Sequence, residues 1–338
     1  MAYPLHPSVL GRIDAQYAAF YNTYLANNPP THLQPLSTAR AAFVSLKPGT
    51  GPLLAVGHVQ DLLVPRNPLP ALTVRCFTPQ GPVPDSGWPV LLYFHGGGWV
   101  LGNRETENTV ATNICVRASC VVVTVEYRLA PEDPFPAAVQ DAWDSLVWVR
   151  SAGASALSLN VDRLAVGGSS AGANLAAVVC QRDASQRCSS SSPPIRLQLL
   201  SVPVVDNTAT IDTSPSWSAN QHTPSLPADK MTWFRNLYLP DEQQRHLPEA
   251  SPLLWKGDWA SLPPAVVLLA ELDVLLDEGK MFAQKLADAG VDVDVHIFKG
   301  QPHPFLALDK VLDDGRRAMT YFCEAMARLA LSSDFKQE

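Results

Sequence analysis

GGSSAGAN, residues 167–174, follows a strand-like run and precedes an alanine-rich stretch that is predicted to be helical. It contains Gly-x-Ser-x-Gly in one register only, centred on Ser170, because a register centred on Ser169 would need glycine where Ala171 stands. A strand that turns sharply into a helix at a serine presents that side chain at the end of a sheet. A glycine-rich turn in which the serine only caps a helix would have the same sequence. The predicted strands and helices around the turn are needed to distinguish these two interpretations.

Strand-like and helix-like runs alternate around this turn. Continuous apolar runs such as WPVLLYFH are typical of strands buried on both faces. The predicted strands are 54–64, 71–78, 88–95, 120–127, 163–168, 195–205, 264–270 and 291–298, and the predicted helices between and after them are 106–118, 136–151, 171–183, 277–289 and 308–331. This alternation predicts an α/β fold with a mostly parallel sheet of about eight strands, an antiparallel start and flanking helices.

Two segments do not belong to the alternation. Residues 8–26 carry apolar side chains at helical spacing before the first strand, and residues 206–250 are polar and proline-rich with a predicted helix at 228–239. The apolar side of this second helix carries Met231, Phe234 and Tyr238. We expect both helices to pack together as a cap above Ser170. The expected division is an N-terminal cap segment 1–45, core 46–205, cap insertion 206–245 and core 246–338.

A second glycine-rich turn, HGGGW at 95–99, directly follows a buried strand. Consecutive glycines let backbone N–H groups point into a cavity with no side chain in the way. Such donors stabilise the oxyanion of a tetrahedral intermediate. We expect the N–H groups of Gly96, Gly97 and Ala171 to form this site, and a flexible loop is the alternative. His95 ends the strand, which suits a structural hydrogen bond.

The acid that would orient a catalytic histidine is expected later in the chain than the serine. AELDVLLDEG, residues 270–279, ends a buried strand and offers Glu271, Asp273, Asp277 and Glu278. Glu271 still belongs to the strand, and the last two suit the acidic first turn of the next helix. Asp273 lies on the connecting loop, where catalytic groups usually stand, and is therefore the predicted acid.

The base has two candidates after the acid, His296 and His303. His296 alternates with apolar residues inside a predicted strand, as a residue on a sheet face does. His303 lies in the loop KGQPHPF, 299–305, between the last strand and the last helix. We therefore predict His303 as the general base for Ser170.

These segments together resemble the hormone-sensitive-lipase-like carboxylesterases of the α/β-hydrolase fold. The resemblance covers about residues 50–330. The matching segments are HGGGW at 95, YRLAPEDPFPAAVQDA at 127–142, GSSAG at 168, SPLL at 251, LDVLLDEG at 272 and the His303 loop. It implies a serine hydrolase that cleaves carboxylic esters through an acyl-enzyme without a cofactor, and it implies that the arginine and glutamate of YRLAPE are structural.

One position departs from the family pattern. The family usually has aspartate, or in one branch threonine, before the nucleophilic serine, and this chain has Ser169. The resemblance implies that the usual aspartate supports the oxyanion loop by hydrogen bonding. We therefore expect that loop to be supported differently here.

The cap is expected to favour esters of short or compact acyl groups. The predicted pocket residues are Trp99, Ser169, Trp217, Trp233 and Phe234. Two alternatives stay open, because site residues alone do not name a substrate. One is a biosynthetic enzyme that acts on a bulky metabolite by acyl transfer, cyclisation or elimination. The other is a ligand-binding module, like the plant hormone receptor of this family that has lost the catalytic histidine.

The composition of the chain indicates which classes of binding partner to expect. The 338 residues carry a net charge of −7, so nothing predicts nucleic-acid binding. No apolar stretch has transmembrane length and no secretory leader is evident, so we expect a cytoplasmic protein without a membrane span. The sequence has no nucleotide-binding or zinc-binding motif, so we expect no cofactor and no metal. The expected partner is a small-molecule ester, and a homodimer is possible. The six cysteines lack C-x-x-C spacing and are expected as free thiols.

Overall fold

The alternation predicted from the sequence is realised as one eight-stranded sheet. The computed structural model describes residues 2–45, 48–187 and 192–331. The strands are β1 (His58–Val64), β2 (Leu72–Thr78), β3 (Trp88–Phe94), β4 (Val121–Val125), β5 (Leu159–Ser169), β6 (Leu197–Ser201), β7 (Ala265–Leu272) and β8 (Val293–Pro302). Their order is β1-β2-β4-β3-β5-β6-β7-β8. The strands pair in parallel from β4 to β8, and β2 is antiparallel to β1 and β4, which confirms the predicted sheet.

Helices connect the strands and cover the sheet. In the described residues the α-helices are α1 (Ala15–Phe20), α2 (Leu36–Ser45), α3 (Asn108–Ala118), α4 (Ala137–Val149), α5 (Ala152–Leu157), α6 (Ala171–Gln186), α7 (Pro215–Ala219), α8 (Ala228–Tyr238), α9 (Leu276–Asp288) and α10 (Asp313–Leu331). None of the helices in these parts of the chain combines the length and the apolar character that crossing a membrane requires.

Both faces of the sheet are buried. Val90, Leu92 and Phe94 of β3 belong to the core cluster that α4, α6 and α9 share, whereas Leu91 and Tyr93 belong to the cluster that α3 and α10 share. Successive side chains of a strand point to opposite faces, so each face of β3 packs against its own layer of helices. This two-sided burial explains the continuous apolar sequence of the strand.

The N-terminal segment differs from the single helix predicted over 8–26. A short 3-10 turn at Pro7–Val9 is separated from α1 by Gly11, whose φ is +81°. Asp14 then caps α1 by accepting the N–H of Tyr17 at 3.0 Å, and α1 continues as a π-helical turn over Tyr21–Leu25. The helix thus begins later than predicted, because a residue with positive φ and a new cap interrupt it. The helix α2 was not predicted from the sequence.

The helices that we predicted at 8–26 and 228–239 do not share a joint core. Tyr17 of α1 packs in the cluster of Phe298 and α10, whereas Met231 and Tyr238 of α8 pack in the cluster of α4 and α6. Each apolar stripe is therefore buried against the sheet layers. The N-terminal segment instead shares an apolar cluster with α8 through Ala39 of α2. The Tyr17 hydroxyl adds a polar contact, 2.6 Å from Ser225 Oγ of the insertion.

The cysteines within the described residues are buried, free thiols: Cys76, Cys115, Cys120, Cys180 and Cys323. Burial raises their pKa, for example that of Cys323 to about 11, so they stay protonated at neutral pH. Cys188, which we also predicted to be a free thiol, lies outside the described residues.

Candidate active site

The candidate nucleophile lies at a sharp turn between β5 and α6. Ser170 has φ +56° and ψ −118°, a conformation that costs an L-residue about 1–3 kcal/mol and persists only where its surroundings enforce it. Its N–H donates to the Ser201 carbonyl of β6 at 2.8 Å. A side chain at Gly168 would collide with Gly172, and one at Gly172 would collide with the Phe94 carbonyl of β3. The glycines therefore let α6 approach the strands closely enough for the turn to form.

The register of the last two strands brings the predicted acid and base together. After a register shift in the parallel pairing of β7 and β8, Leu272 and Pro302 lie opposite one another. Asp273 and His303 follow them directly. Asp273 Oδ2 lies 2.6 Å from His303 Nδ1, and His303 Nε2 lies 2.8 Å from Ser170 Oγ. This geometry allows a proton to pass from the hydroxyl to the imidazole.

Neighbouring donors fix the carboxyl group of Asp273, which is 1% exposed. Its Oδ1 accepts the N–H of Leu275 at 3.1 Å, which leaves Oδ2 for His303. Its backbone carbonyl accepts a hydrogen bond from Asn220 Nδ2 of the insertion at 2.9 Å. The acid is thus held both by its own loop and by the cap.

The glycine turn after β3 lines the same cavity as Ser170. Gly97 and Gly98 have φ of +125° and +61°, which glycine adopts without strain. Gly96, in contrast, donates its N–H to Glu107 Oε1 at 3.4 Å. This bond corrects our prediction of Gly96 as an oxyanion donor, because its N–H is already directed at a carboxylate. Gly97 and Gly98 belong to the lining of the cavity that contains Ser170.

A cavity of about 720 Å³ contains Ser170 in its lining. Ligand pockets usually have about 300–1,000 Å³, so this one has room for a small ester. The core contributes the oxyanion turn, Ser169 and His303, and both cap segments contribute further residues. Those from the cap segments include Tyr17, Phe20, His32, His222, Lys230 and Phe234. Among the described residues of the lining, Glu107 is the one acidic side chain.

Comparison with known proteins places this geometry in a family. Residues 91–307 match a family described as alpha/beta hydrolase fold. The chain belongs to this family. An AB hydrolase superfamily protein of Schizosaccharomyces pombe is 45% identical over 320 residues, which are 93% of each chain. Carboxylesterase NlhH of Mycobacterium tuberculosis is 38% identical over 268 residues, 77% of this chain and 79% of the relative.

Solved structures of α/β hydrolases agree with the fold. The crystal structure of a thermostable esterase from Pseudomonas putida matches with a TM-score of 0.84 at 29% identity, and the match covers 96% of this chain and 99% of the other. The α/β-hydrolase fold and the hormone-sensitive-lipase-like family predicted from the sequence are therefore confirmed.

Two of the five predicted pocket residues of this α/β hydrolase line the cavity, Ser169 and Phe234, and three do not, Trp99, Trp217 and Trp233. Trp99 is fully buried, and the ring of Tyr238 stacks on it at 4.2 Å. Trp217 is buried and donates its Nε1–H to Glu278 at 3.4 Å. Trp233 packs half-buried against the core. A large aromatic side chain is as typical of the buried core as of a pocket wall. Packing against residues that are distant in the sequence determines which of the two positions it takes.

The other acidic residues of the 270–279 segment have structural partners. Glu271 accepts the N–H of Gly300 in β8 at 2.7 Å. Asp277, in the first turn of α9, accepts the N–H of Ser216 at 2.8 Å. Glu278 is buried, and burial raises its pKa to about 8. None of these three carboxyl groups lines the cavity within the described chain.

Two further histidines of this α/β hydrolase are held away from the serine. The Nδ1 of His95 lies 2.7 Å from the Gly96 carbonyl, and its ring stacks on Tyr127 at 4.3 Å. His296 stacks on Tyr321 at 3.6 Å. Both positions match the structural placement that we predicted for these residues.

The YRLAPE segment carries ion pairs of the scaffold. Arg128 pairs with the buried Asp141 at 2.7 Å. Glu132 pairs with Arg40 of α2 at 2.6 Å, and hydrogen bonding to that guanidinium lowers the pKa of Glu132. This second pair joins the N-terminal segment to the core, as a structural role requires.

The cavity contains two charged residues that were not predicted from the sequence, Glu107 and Lys230. Neither belongs to a motif with fixed spacing, and both reach the cavity through contacts between distant parts of the chain. The weak signals were a glutamate shortly after the HGGGW turn and a lysine on the helix of the cap insertion.

We predict that Asp273→Asn lowers kcat by about 10⁴-fold, because asparagine no longer holds the tautomer of His303 that accepts the serine proton. Asp277→Asn is the matched control, and it should cost at most about 1 kcal/mol of unfolding free energy through the weakened bond to Ser216. Hydrolysis of p-nitrophenyl acetate and thermal unfolding measure the two effects. Equal losses of kcat in both variants at unchanged Tm would contradict the assignment.

Proposed function

We propose that this α/β hydrolase is a serine carboxylesterase that cleaves esters of short or compact acyl groups. The observation that carries the proposal is the hydrogen-bonded chain from Ser170 through His303 to the buried Asp273 at the cavity. Relatives named carboxylesterase and esterase support the same reaction class. As partner we propose a small-molecule ester, and as location the cytoplasm, where free thiols such as those of this chain persist.

The first half of the reaction forms an acyl-enzyme. Ser170 Oγ attacks the acyl carbon while His303 Nε2 takes the hydroxyl proton. Asp273 stabilises the imidazolium that results. The negative charge on the acyl oxygen meets the N–H groups of Gly97, Gly98 and Ala171, which are oriented before the reaction begins. The intermediate then expels the alcohol, which leaves with the proton from His303.

The second half releases the acid. Water attacks the acyl carbon and gives a proton to His303 Nε2, which returns it to Ser170 as the C–O bond of the acyl-enzyme breaks. The products are one carboxylic acid and one alcohol, and the serine is regenerated. Every proton in this cycle passes through His303, so the reaction needs no further group.

The position of cap residues next to the oxyanion turn supports our proposal that the acyl group of the substrate is compact. A side chain on Gly98 would collide with the ring of Phe234, so this ring of α8 lies directly against the turn. Both cap segments also line the cavity, which limits the length of chain that fits beside Ser170.

We predict that Ser170→Ala abolishes covalent labelling by a fluorophosphonate and lowers kcat by about 10⁶-fold. Ser169→Ala is the matched control in the neighbouring position and should still be labelled, because its hydroxyl has no part in the acyl-enzyme. Mass spectrometry of the labelled peptide identifies the modified serine. Labelling that survives in Ser170→Ala and disappears in Ser169→Ala would show that the register is wrong. No labelling and no ester turnover by the unsubstituted protein would favour a binding module.

A panel of p-nitrophenyl esters tests the acyl preference. We expect the unsubstituted enzyme to prefer short acyl groups and Phe234→Ala to shift the optimum of kcat/KM towards longer chains, because the ring limits space beside the oxyanion turn. Trp233→Ala, one residue away on α8 and outside the cavity lining, is the control and should keep the optimum. An unchanged optimum in Phe234→Ala, or equal shifts in both variants, would contradict the role of the cap.

A further inference from the structure

The cap contributes an amine to the substrate cavity. Lys230, in the first turn of α8, belongs to the cavity lining, and its Nζ donates to the Ser225 carbonyl at 2.8 Å. Within the described residues no carboxylate forms an ion pair with this amine. Burial lowers its pKa to about 8. An ammonium group has three donors, so two N–H bonds of Lys230 are available to a ligand.

The amine lies close to the reaction centre. Lys230 precedes Phe234 by one helical turn, and its Nζ is 5.7 Å from the centroid of that ring. The same ring packs against Gly98 of the oxyanion turn. The Phe234 ring therefore lies near both the amine and the oxyanion turn, and Lys230 and Ser170 line the same cavity.

The charge of the cavity supports an anionic ligand. The protein as a whole has a net charge of −7. The ionisable side chains that the cap segments contribute to the lining include three histidines and Lys230 but no acid, within the described residues. The acid of the lining, Glu107, comes from the core and is directed at Gly96. The pKa of His32 is lowered mainly by burial and secondly by the charge of Lys230. At neutral pH Lys230 therefore carries more positive charge than His32.

We propose that Lys230 binds a carboxylate carried by the ester itself, so that the preferred substrates are esters with a free carboxylate on the acyl or the alcohol part. This inference rests on the proposed esterase function. A carboxylate of the ligand does not have to displace a carboxylate of the protein from Lys230. It forms charge-assisted hydrogen bonds with the amine in a largely apolar cavity. The amine that is costly to bury alone is stabilised when such a substrate is bound.

Matched ester pairs test this proposal. Monoethyl succinate and monoethyl glutarate are compared with ethyl butyrate and ethyl pentanoate for the acyl part, and acetyl-3-hydroxypropanoate with propyl acetate for the alcohol part. We expect the unsubstituted enzyme to prefer the anionic member of at least one of these three pairs. Lys230→Met should lower the anionic-to-neutral ratio of kcat/KM by about 10- to 100-fold, mainly through KM, because a charged hydrogen bond is lost.

Two further variants separate the charge of Lys230 from other effects. Lys230→Arg should keep most of the ratio, since it keeps the charge. Lys256→Met removes an exposed positive charge outside the lining and should leave the ratio as it is. No anionic preference in any of the three pairs, or an equal loss of ratio in Lys256→Met, would overturn the proposal. Turnover of the neutral esters and labelling of Ser170 report separately on the esterase function.

An independent observation concerns the support of the oxyanion turn. Glu107, at the start of α3, accepts the N–H of Gly96. A Cβ placed on Gly96 would lie 3.3 Å from Glu107 Oε1 and 3.6 Å from Ser169 Oγ. The carboxylate of Glu107 and the hydroxyl of Ser169 thus converge on the same glycine. Burial, and after it the Glu107 carboxylate, raise the pKa of Tyr93 and Tyr127 well above the ordinary value.

We infer that Glu107 is a positioning residue for the oxyanion turn and supplies the carboxylate that an aspartate at position 169 supplies in the usual family pattern. Its bond to Gly96 fixes the backbone from which the N–H groups of Gly97 and Gly98 are presented. Because Glu107 acts through Gly96 and does not touch the substrate, its loss should affect the transition state more than binding.

Transfer of the carboxylate to position 169 tests this inference. Glu107→Ala should lower kcat by about 10- to 100-fold with a smaller change in KM, since misaligned donors cost less than absent ones. Glu107→Ala combined with Ser169→Asp should recover at least part of kcat. Ser169→Asp alone should be less active than the unsubstituted enzyme, because two carboxylates then share one site.

The control for this test removes another carboxylate of the same loop. Glu105 is half-exposed and pairs with Arg75 at 2.9 Å, so Glu105→Ala should leave kcat close to its original value. Thermal unfolding verifies that each variant is folded. A double variant no more active than a folded Glu107→Ala, or unchanged kcat in Glu107→Ala, would overturn the inference.

Discussion

The turn at Ser170 depends on backbone segments that approach each other with no side chains between them. Gly172 of α6 lies against the Phe94 carbonyl at the end of β3, and Gly168 lies against Gly172. Only this close approach lets the serine hold a positive φ, because the strain of the turn is opposed by packing on both sides. The end of β3 is also where the oxyanion turn begins. The contact between Gly172 and the end of β3 therefore positions the proposed nucleophile and the proposed oxyanion donors relative to each other.

The other two groups of the proposed triad are placed by strand pairing. In a parallel pair the residues that follow two partnered positions leave the sheet at the same edge. Since Leu272 is partnered with Pro302, Asp273 and His303 emerge side by side. The register shift before this pair aligns them, and Glu271 secures the alignment by binding a backbone N–H of β8. The geometry of the proposed triad is thus a consequence of sheet register rather than of flexible loops.

The sequence predicted what depends on local pattern. The eight strands, the Ser170 register, Asp273 and His303 all follow from short motifs in a fixed chain order. Features that depend on contacts between distant parts of the chain were either not predicted or predicted wrongly. Trp99 was placed in the pocket, but its indole stacks on Tyr238, a residue far away in the chain. Gly96 was predicted as a donor, but its N–H is directed at Glu107, whose carboxylate reaches it from the start of α3.

The cap is connected to the chemistry through the acid loop. Asn220 of the insertion donates to the carbonyls of Glu271 and Asp273, and Thr223 donates to that of Leu272 at 2.6 Å. Arg12 of the N-terminal segment in turn donates to Asn220 Oδ1 at 3.1 Å. Because these bonds run from both cap segments to the end of β7, movement of the cap would disturb Asp273. Substitutions in the cap are therefore expected to change substrate choice and the orientation of His303 together, unless they spare these polar links.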